Sequence, residues 1–296
     1  MHTGFSLTAA LALLLLPMAQ AISGERIEKS LEAAPDGVVA VNNFRGQVEV
    51  EGWGRAEVSL SAELEELAEG LVFERDGNRT RVEVKPRNRD THTGEGSKLV
   101  LKVPAGSRVE IEGVAVDVDV RSVGSLQVRT VSGDATVTAV KGEMDLKTVS
   151  GDIRVAGGGT GGSRMKSASG DLKLDLSARE LQLSTVSGDL DVTLGEFERL
   201  DATAVSGDMK LAGTLLPGGR VELTSVSGNC DLQLGGRVDS RIVVKTGPGG
   251  SIENRLNPAK PEKQAGATEY LETTLGAGSG SVNVSTVTGA VTLGGG

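Results

Sequence analysis

The fourteen residues Leu181-Gln182-Leu183-Ser184-Thr185-Val186-Ser187-Gly188-Asp189-Leu190-Asp191-Val192-Thr193-Leu194 decide the fold. Before Ser187-Gly188, Leu181 and Leu183 alternate with Gln182 and Ser184. After it, Leu190, Val192 and Leu194 alternate with Asp189, Asp191 and Thr193. Period-two patterning on both sides of a glycine bend predicts two short strands, each with one buried face.

The bend recurs as TVSGDA, TVSGDI, SASGDL, TVSGDL, AVSGDM and SVSGNC, with glycines at 133, 151, 170, 188, 207 and 228. A weaker echo, Lys245-Thr246-Gly247, and a clear last copy, Thr286-Val287-Thr288-Gly289-Ala290-Val291, follow. A period near 20 residues describes stacked units rather than one globular core. No helical spacing separates the copies, which excludes the βα repeat classes. The expectation is an all-β, single-stranded parallel β-solenoid, each rung hydrogen-bonded to the next about 4.8 Å away. Leu, Val and Ile then form columns inside, while glycine supplies the positive-φ bend.

Outside the repeat the chain is less regular. Residues 1–21 read as a signal peptide: an apolar run from Phe5 to Ala19, then the small-x-small step Ala19-Gln20-Ala21. Residues 22–113 form an expected N-terminal β-rich capping region and 114–296 the solenoid, with a polar loop near 257–268. Val39 to Trp53 reads as an atypical first turn, with Trp53 as an end cap. Leu64, Leu67, Ala68 and Leu71 have the spacing of a short capping helix. Val72-Phe73-Glu74 and Val82-Glu83-Val84 suggest a hairpin around Asp76-Gly77-Asn78, and Lys85 to Ser97 an exposed loop.

Composition narrows the function. The net charge of −9 disfavours nucleic acid and anionic membranes as partners. No lipobox cysteine follows the apolar run and the C-terminus carries no hydrophobic anchor, so the mature chain is expected to be periplasmic or secreted, without membrane insertion. Cys230 is the only cysteine and occupies the repeat position of Ile153, Leu172, Leu190 and Met209, a buried apolar role.

The candidate metal ligands are Asp134, Asp152, Asp171, Asp189 and Asp208, a ladder ended by Asn229. Carboxylates stacked near 5 Å repel by about 0.8 kcal/mol in water and about 3 kcal/mol at an effective dielectric of 20. A line of Ca²⁺ ions would relieve that. So would turn hydrogen bonds, water and the cations Arg154, Lys173 and Lys210 two positions on. The ladder lacks the G-G-x-G-x-D spacing of calcium-binding nonapeptides, and no cofactor is implied. Gly157 to Gly162 formally matches a dinucleotide motif but leads straight into another strand, so it reads as a connection. His92 is the sole histidine beyond the signal segment, and neither a nucleophile elbow nor a zinc cluster accompanies it. The acidic runs Glu63 to Glu66 and Asp117-Val118-Asp119 read as solvated faces.

The signal segment, the opening V-x-N-x-x-G-x-V-x-V-x-G-W from Val41 to Trp53, the step Val103-Pro104-Ala105-Gly106 and the serial T-V-S-G-D rungs together resemble a known family. It is the bacterial "putative adhesin" domain of unknown function, related to the head domains of autotransporter-like adhesins. The resemblance implies an exported β-solenoid without known catalysis and supplies no binding residues. The function expected is a non-enzymatic, adhesin-like protein of the cell envelope, binding an unknown envelope protein or glycan, or scaffolding, through repetitive sheet faces. The alternative is a carbohydrate-binding or polysaccharide-acting β-helix protein.

Overall fold

The computed structural model describes residues 26–66, 68–86 and 96–295, and every regular element among them is a strand. The signal segment, Leu67 and the His92 segment lie outside the described residues.

Each rung is a leading strand, a bend and a trailing strand. Met144–Ser150 turns through Gly151 into Ile153–Gly158, and Glu180–Ser187 turns through Gly188 into the strand that starts at Leu190. Leading strands stack in parallel: Leu126 on Met144, Met144 on Ser163, Ser163 on Leu181, Leu181 on Leu200 and Leu200 on Val221. Trailing strands do the same, with Ala135, Ile153, Leu172, Leu190, Met209 and Cys230 in one column. Cys230 therefore stands where its repeat position puts it, 1% exposed. The inward residues of both stacks merge into one continuous hydrophobic core.

The bend needs glycine for two reasons. Gly133, Gly151, Gly170, Gly188, Gly207, Gly228 and Gly289 have φ between 111° and 141°. A Cβ at Gly188 would also collide with the Gly170 carbonyl, and the same clash recurs from rung to rung.

The stacking order departs from chain order at both ends. Gly280–Thr288, which carries the last clear copy of the bend, inserts between 220–227 and Ser240–Thr246. Its trailing partner Ala290–Gly295 likewise lies between Cys230–Leu234 and Ser251–Asn254. The expectation that each rung bonds to its successor therefore holds from Arg108 to Leu234 and fails beyond. The clear copy has the glycine and side chains to continue the column. The weak Lys245-Thr246-Gly247 echo is placed outside it. At the other end, Val38–Trp53 pairs in register with Arg108–Arg121 on one side, and with Arg79–Pro86 and Ser97–Pro104 on the other.

The predicted capping helix does not form. Leu64 lies in a loop, and Ala68–Asp76 is a strand antiparallel to Arg79–Pro86. Leu71 and Phe73 share a face at period two and pack against the core there, while the strand's backbone pairs with the sheet. The hairpin is as read, with Phe73 opposite Val82 and Gly77 at φ 59°. The 257–268 loop holds one short strand, Glu262–Gln264, paired with Thr268–Thr274. Of the 85–97 stretch, Ser97 opens a strand and is buried. Trp53 ends its strand opposite Pro104, half-exposed, with the Arg55 guanidinium 4.9 Å and the Lys102 ammonium 5.9 Å from the ring centre.

Candidate functional site

The outer corner of the coil is where the repeat spends its polar residues. Each carboxylate of the Asp ladder accepts a hydrogen bond from the backbone N–H of the equivalent residue one rung on. Asp134 N–H reaches Asp117 Oδ1 at 3.0 Å, Asp152 reaches Asp134 at 2.9 Å, and Asp171 reaches Asp152 at 2.9 Å. Asp189 then reaches Asp171 at 2.8 Å, Asp208 reaches Asp189 at 2.8 Å, and Asn229 reaches Asp208 at 2.7 Å. Ala290 N–H closes the series on Asn229 Oδ1 at 3.0 Å. A carboxylate accepting an amide proton is a charge-assisted bond, about twice as strong as a neutral one. It also satisfies an amide that the bend would otherwise leave unpaired.

Asp117 starts this ladder and so is not simply a solvated face. Its sequence signal was weak, because Asp117-Val118 lacks the preceding Ser-Gly. Glu65 departs from the solvated reading too. Only 9% of its side chain is exposed, and it receives Arg45 Nη2 at 2.6 Å.

The second oxygens of Asp134 and Asp152 meet a cation. Arg154 straddles two rungs, with Nη2 2.7 Å from Asp152 Oδ2 and Nη1 3.6 Å from Asp134 Oδ2. Asp171, Asp189 and Asp208 line a groove of about 250 Å³ together with Arg154, Lys173 and Lys210. A second groove of about 400 Å³ adjoins it across Thr138, Ala156 and Thr193. The outward side of the trailing sheet thus carries the Asp ladder at one-rung spacing, beside a column that runs Arg154, Lys173, Asp191, Lys210. Among the described residues no three His, Cys, Asp or Glu side chains are placed to share a metal ion.

Cys230 is isolated from this chemistry: burial, then the nearby Asp231 charge, pushes its thiol up to about 12. Asp239 anchors the turn into the inserted rung, accepting from Gly278 N–H at 2.7 Å and Ser279 Oγ at 3.0 Å. The Ser279 bond, then the Gly278 bond, holds its carboxyl below the ordinary range. No helix among the described residues is long and apolar enough to cross a membrane.

Parallel rungs around one aliphatic core, with polar ladders outside, define a solenoid-like repeat protein. More narrowly, the chain belongs to the Toastrack family, DUF4097, whose match spans residues 39–294. No curated protein matches it. Among solved structures it is similar to a "putative adhesin" from Bacteroides fragilis, at 11% identity and TM-score 0.45, over 92% of this chain and 98% of that one. A "putative adhesin" from Parabacteroides distasonis aligns at 12% identity and TM-score 0.39, over 91% and 97%. A "putative lipid binding protein" from the same species aligns at 11% identity and TM-score 0.34, over 91% and 97%.

Proposed function

We propose that this is an exported, non-enzymatic, adhesin-like protein of the bacterial cell envelope, periplasmic or secreted after cleavage near Ala21. It acts by binding or scaffolding through its repetitive faces. In this reading 22–113 cap the coil and 114–296 carry the binding faces. The observation that carries it is the pair of adjoining grooves on the trailing sheet, where the column Arg154, Lys173, Asp191, Lys210 runs beside the Asp ladder. A linear array of charges at rung spacing suits an extended or repetitive ligand better than a compact small molecule, which needs a deeper apolar pocket. The ladder carboxylates serve the backbone in this reading rather than a resident ion.

The test is co-sedimentation of the protein with envelope fractions, followed by cell fractionation. Wild type is expected to sediment, and Lys173→Glu with Lys210→Glu to lose about tenfold in affinity, the size of two exposed ion pairs. Equal sedimentation of both chains would remove the trailing face from the binding surface. A carbohydrate-binding or polysaccharide-acting protein is the competing reading, motivated by the half-exposed ring of Trp53. A glycan array with a reducing-sugar assay separates the two, since turnover of any glycan refutes a purely binding role.

A further inference from the structure

The large hydrophobic side chains exposed among the described residues are Val114, Val131, Val149, Val186, Val205, Val226 and Val287, each 40–53% exposed. From Val131 on, each directly precedes the Ser or Thr of a bend, and Val114 begins the same column one rung earlier, its carbonyl accepting from Ser132 N–H. The register that sets Thr148 on Ser167 on Thr185, and Ser150 on Ser169 on Ser187, stacks them into one ridge along the corner. Ala168 makes a single notch in its crest. Contiguous apolar surface of this kind marks an interaction site.

The ridge is also built against the grain of folding. The residue before most of these positions is an inward hydroxyl: Thr130, Thr148, Thr185, Ser225 and Thr286 before valines, and Ser167 before the Ala168 notch, are all at most 7% exposed, while Ala204 precedes Val205. Four of these hydroxyls, on Thr148, Ser167, Thr185 and Ser225, have no hydrogen-bond partner. Exchanging valine and hydroxyl in each pair would bury the apolar group and solvate the polar one. The chain repeats the costlier order on rung after rung, as functional surfaces do.

The ridge is flanked by unlike charges. On the leading side stand Arg129, Lys147 and Lys166, and on the trailing side Asp134, Asp152 and Asp171, at matching rungs. Arg129 and Lys147 also reach Glu112 and Asp145 on their own sheet, and Arg154 reaches Asp134 and Asp152, which leaves Lys166 and Asp171 as the flank charges without such an ion pair among the described residues. Two such ridges facing each other about a two-fold axis along the coil would set the basic column of each against the acidic column of the other. An axis across the coil would set like against like. A second stacked sheet also shares the rung period, so valine meets valine at every level.

We propose that the valine ridge is the seam of a parallel homodimer of this chain. The seam shares Asp152 and Asp171 of its acidic flank with the groove assigned to envelope binding, whereas Lys173 and Lys210, the residues tested there, lie off the ridge. Sedimentation velocity over a concentration series is expected to show a dimer for wild type. Val149→Lys combined with Val186→Lys should raise its dissociation constant at least about tenfold, and the milder Val186→Ser less. Circular dichroism melting at a concentration low enough for wild type to be monomeric should be the same for all of these chains, which separates lost association from lost folding. Lys166→Glu should weaken the dimer as well. Single Val149→Cys and Val205→Cys chains should each cross-link to themselves, while a mixture should give no 149–205 product; buried Cys230 does not compete. A monomer at every concentration, or 149–205 cross-links, would overturn the proposal. Dissociated variants that still sediment with envelope fractions would leave the binding reading standing, so the two can fail separately.

Discussion

Gly188 carries two demands that no other residue meets together. Its φ of 141° disfavours any side chain, and the Gly170 carbonyl occupies the space of a Cβ. Gly188→Ala is therefore expected to cost about 3 kcal/mol or more, combining backbone strain with overpacking. Urea unfolding should show the midpoint falling. At Cys230 the expectation is inertness. With its thiol pushed up to about 12, the reactive thiolate is scarce at neutral pH, and burial blocks access besides. A thiol-reactive dye should label it only after denaturant is added, and labelling of the native protein would contradict the buried placement.

The Asp ladder is an element in its own right, because each carboxylate bonds the next rung. Asp189→Ala removes the acceptor for the Asp208 amide and is expected to destabilise by about 1–3 kcal/mol. Asp189→Asn keeps an acceptor oxygen, as Asn229 does naturally, and should recover most of that loss. If the ladder held Ca²⁺ instead, asparagine would behave like alanine and chelator would lower the melting temperature. The Asp239 turn makes a pH prediction. Its carboxyl is held below the ordinary range by Ser279 and Gly278, so its contribution is full above the unfolded value, about 3.9. That contribution disappears as pH falls through the folded value. The stability gap between wild type and Asp239→Ala should accordingly narrow on acidification, and a constant gap would assign the effect to packing.

In the whole molecule, the swapped order at the C-terminal end has the largest mechanical consequence. A repeat array ordinarily tolerates loss of its last unit, since each unit touches only its neighbours. Here residues 280–295 lie between two other rungs and pair with both. Deleting them should leave 251–254 without its strand partner, leave 240–246 held only by the antiparallel Thr268–Thr274, and uncover the sheet edge at 220–234, an aggregation hazard. Hydrogen exchange on the truncated chain is expected to show protection lost at 251–254 and reduced at 240–246 and along 220–234. Protection retained at 240–246 would mean that this strand can dock directly on 220–227.

Local pattern was enough for the strands, the bends and the inward columns, since alternation and glycine act over a few residues. It was enough for the Cys230 placement and the hairpin at Gly77 for the same reason. The helix expected around Leu64 to Leu71 failed because apolar residues at mixed spacing fit either period, and sheet pairing far along the chain chose between them. Reading Ser-Gly-Asp as turn chemistry located the ladder but not its rung-to-rung hydrogen bonds, and it left the exposed valines unnoticed. The alternation that buries Leu181 and Leu183 continues through Thr185 and sets Val186 outward, so the ridge was legible in the period; residue type, valine being ordinarily an interior side chain, argued the other way. Stacking order at the two ends was settled in three dimensions. Periodicity specifies what can pair with what, whereas the choice among equivalent partners depends on which rung continues the column best.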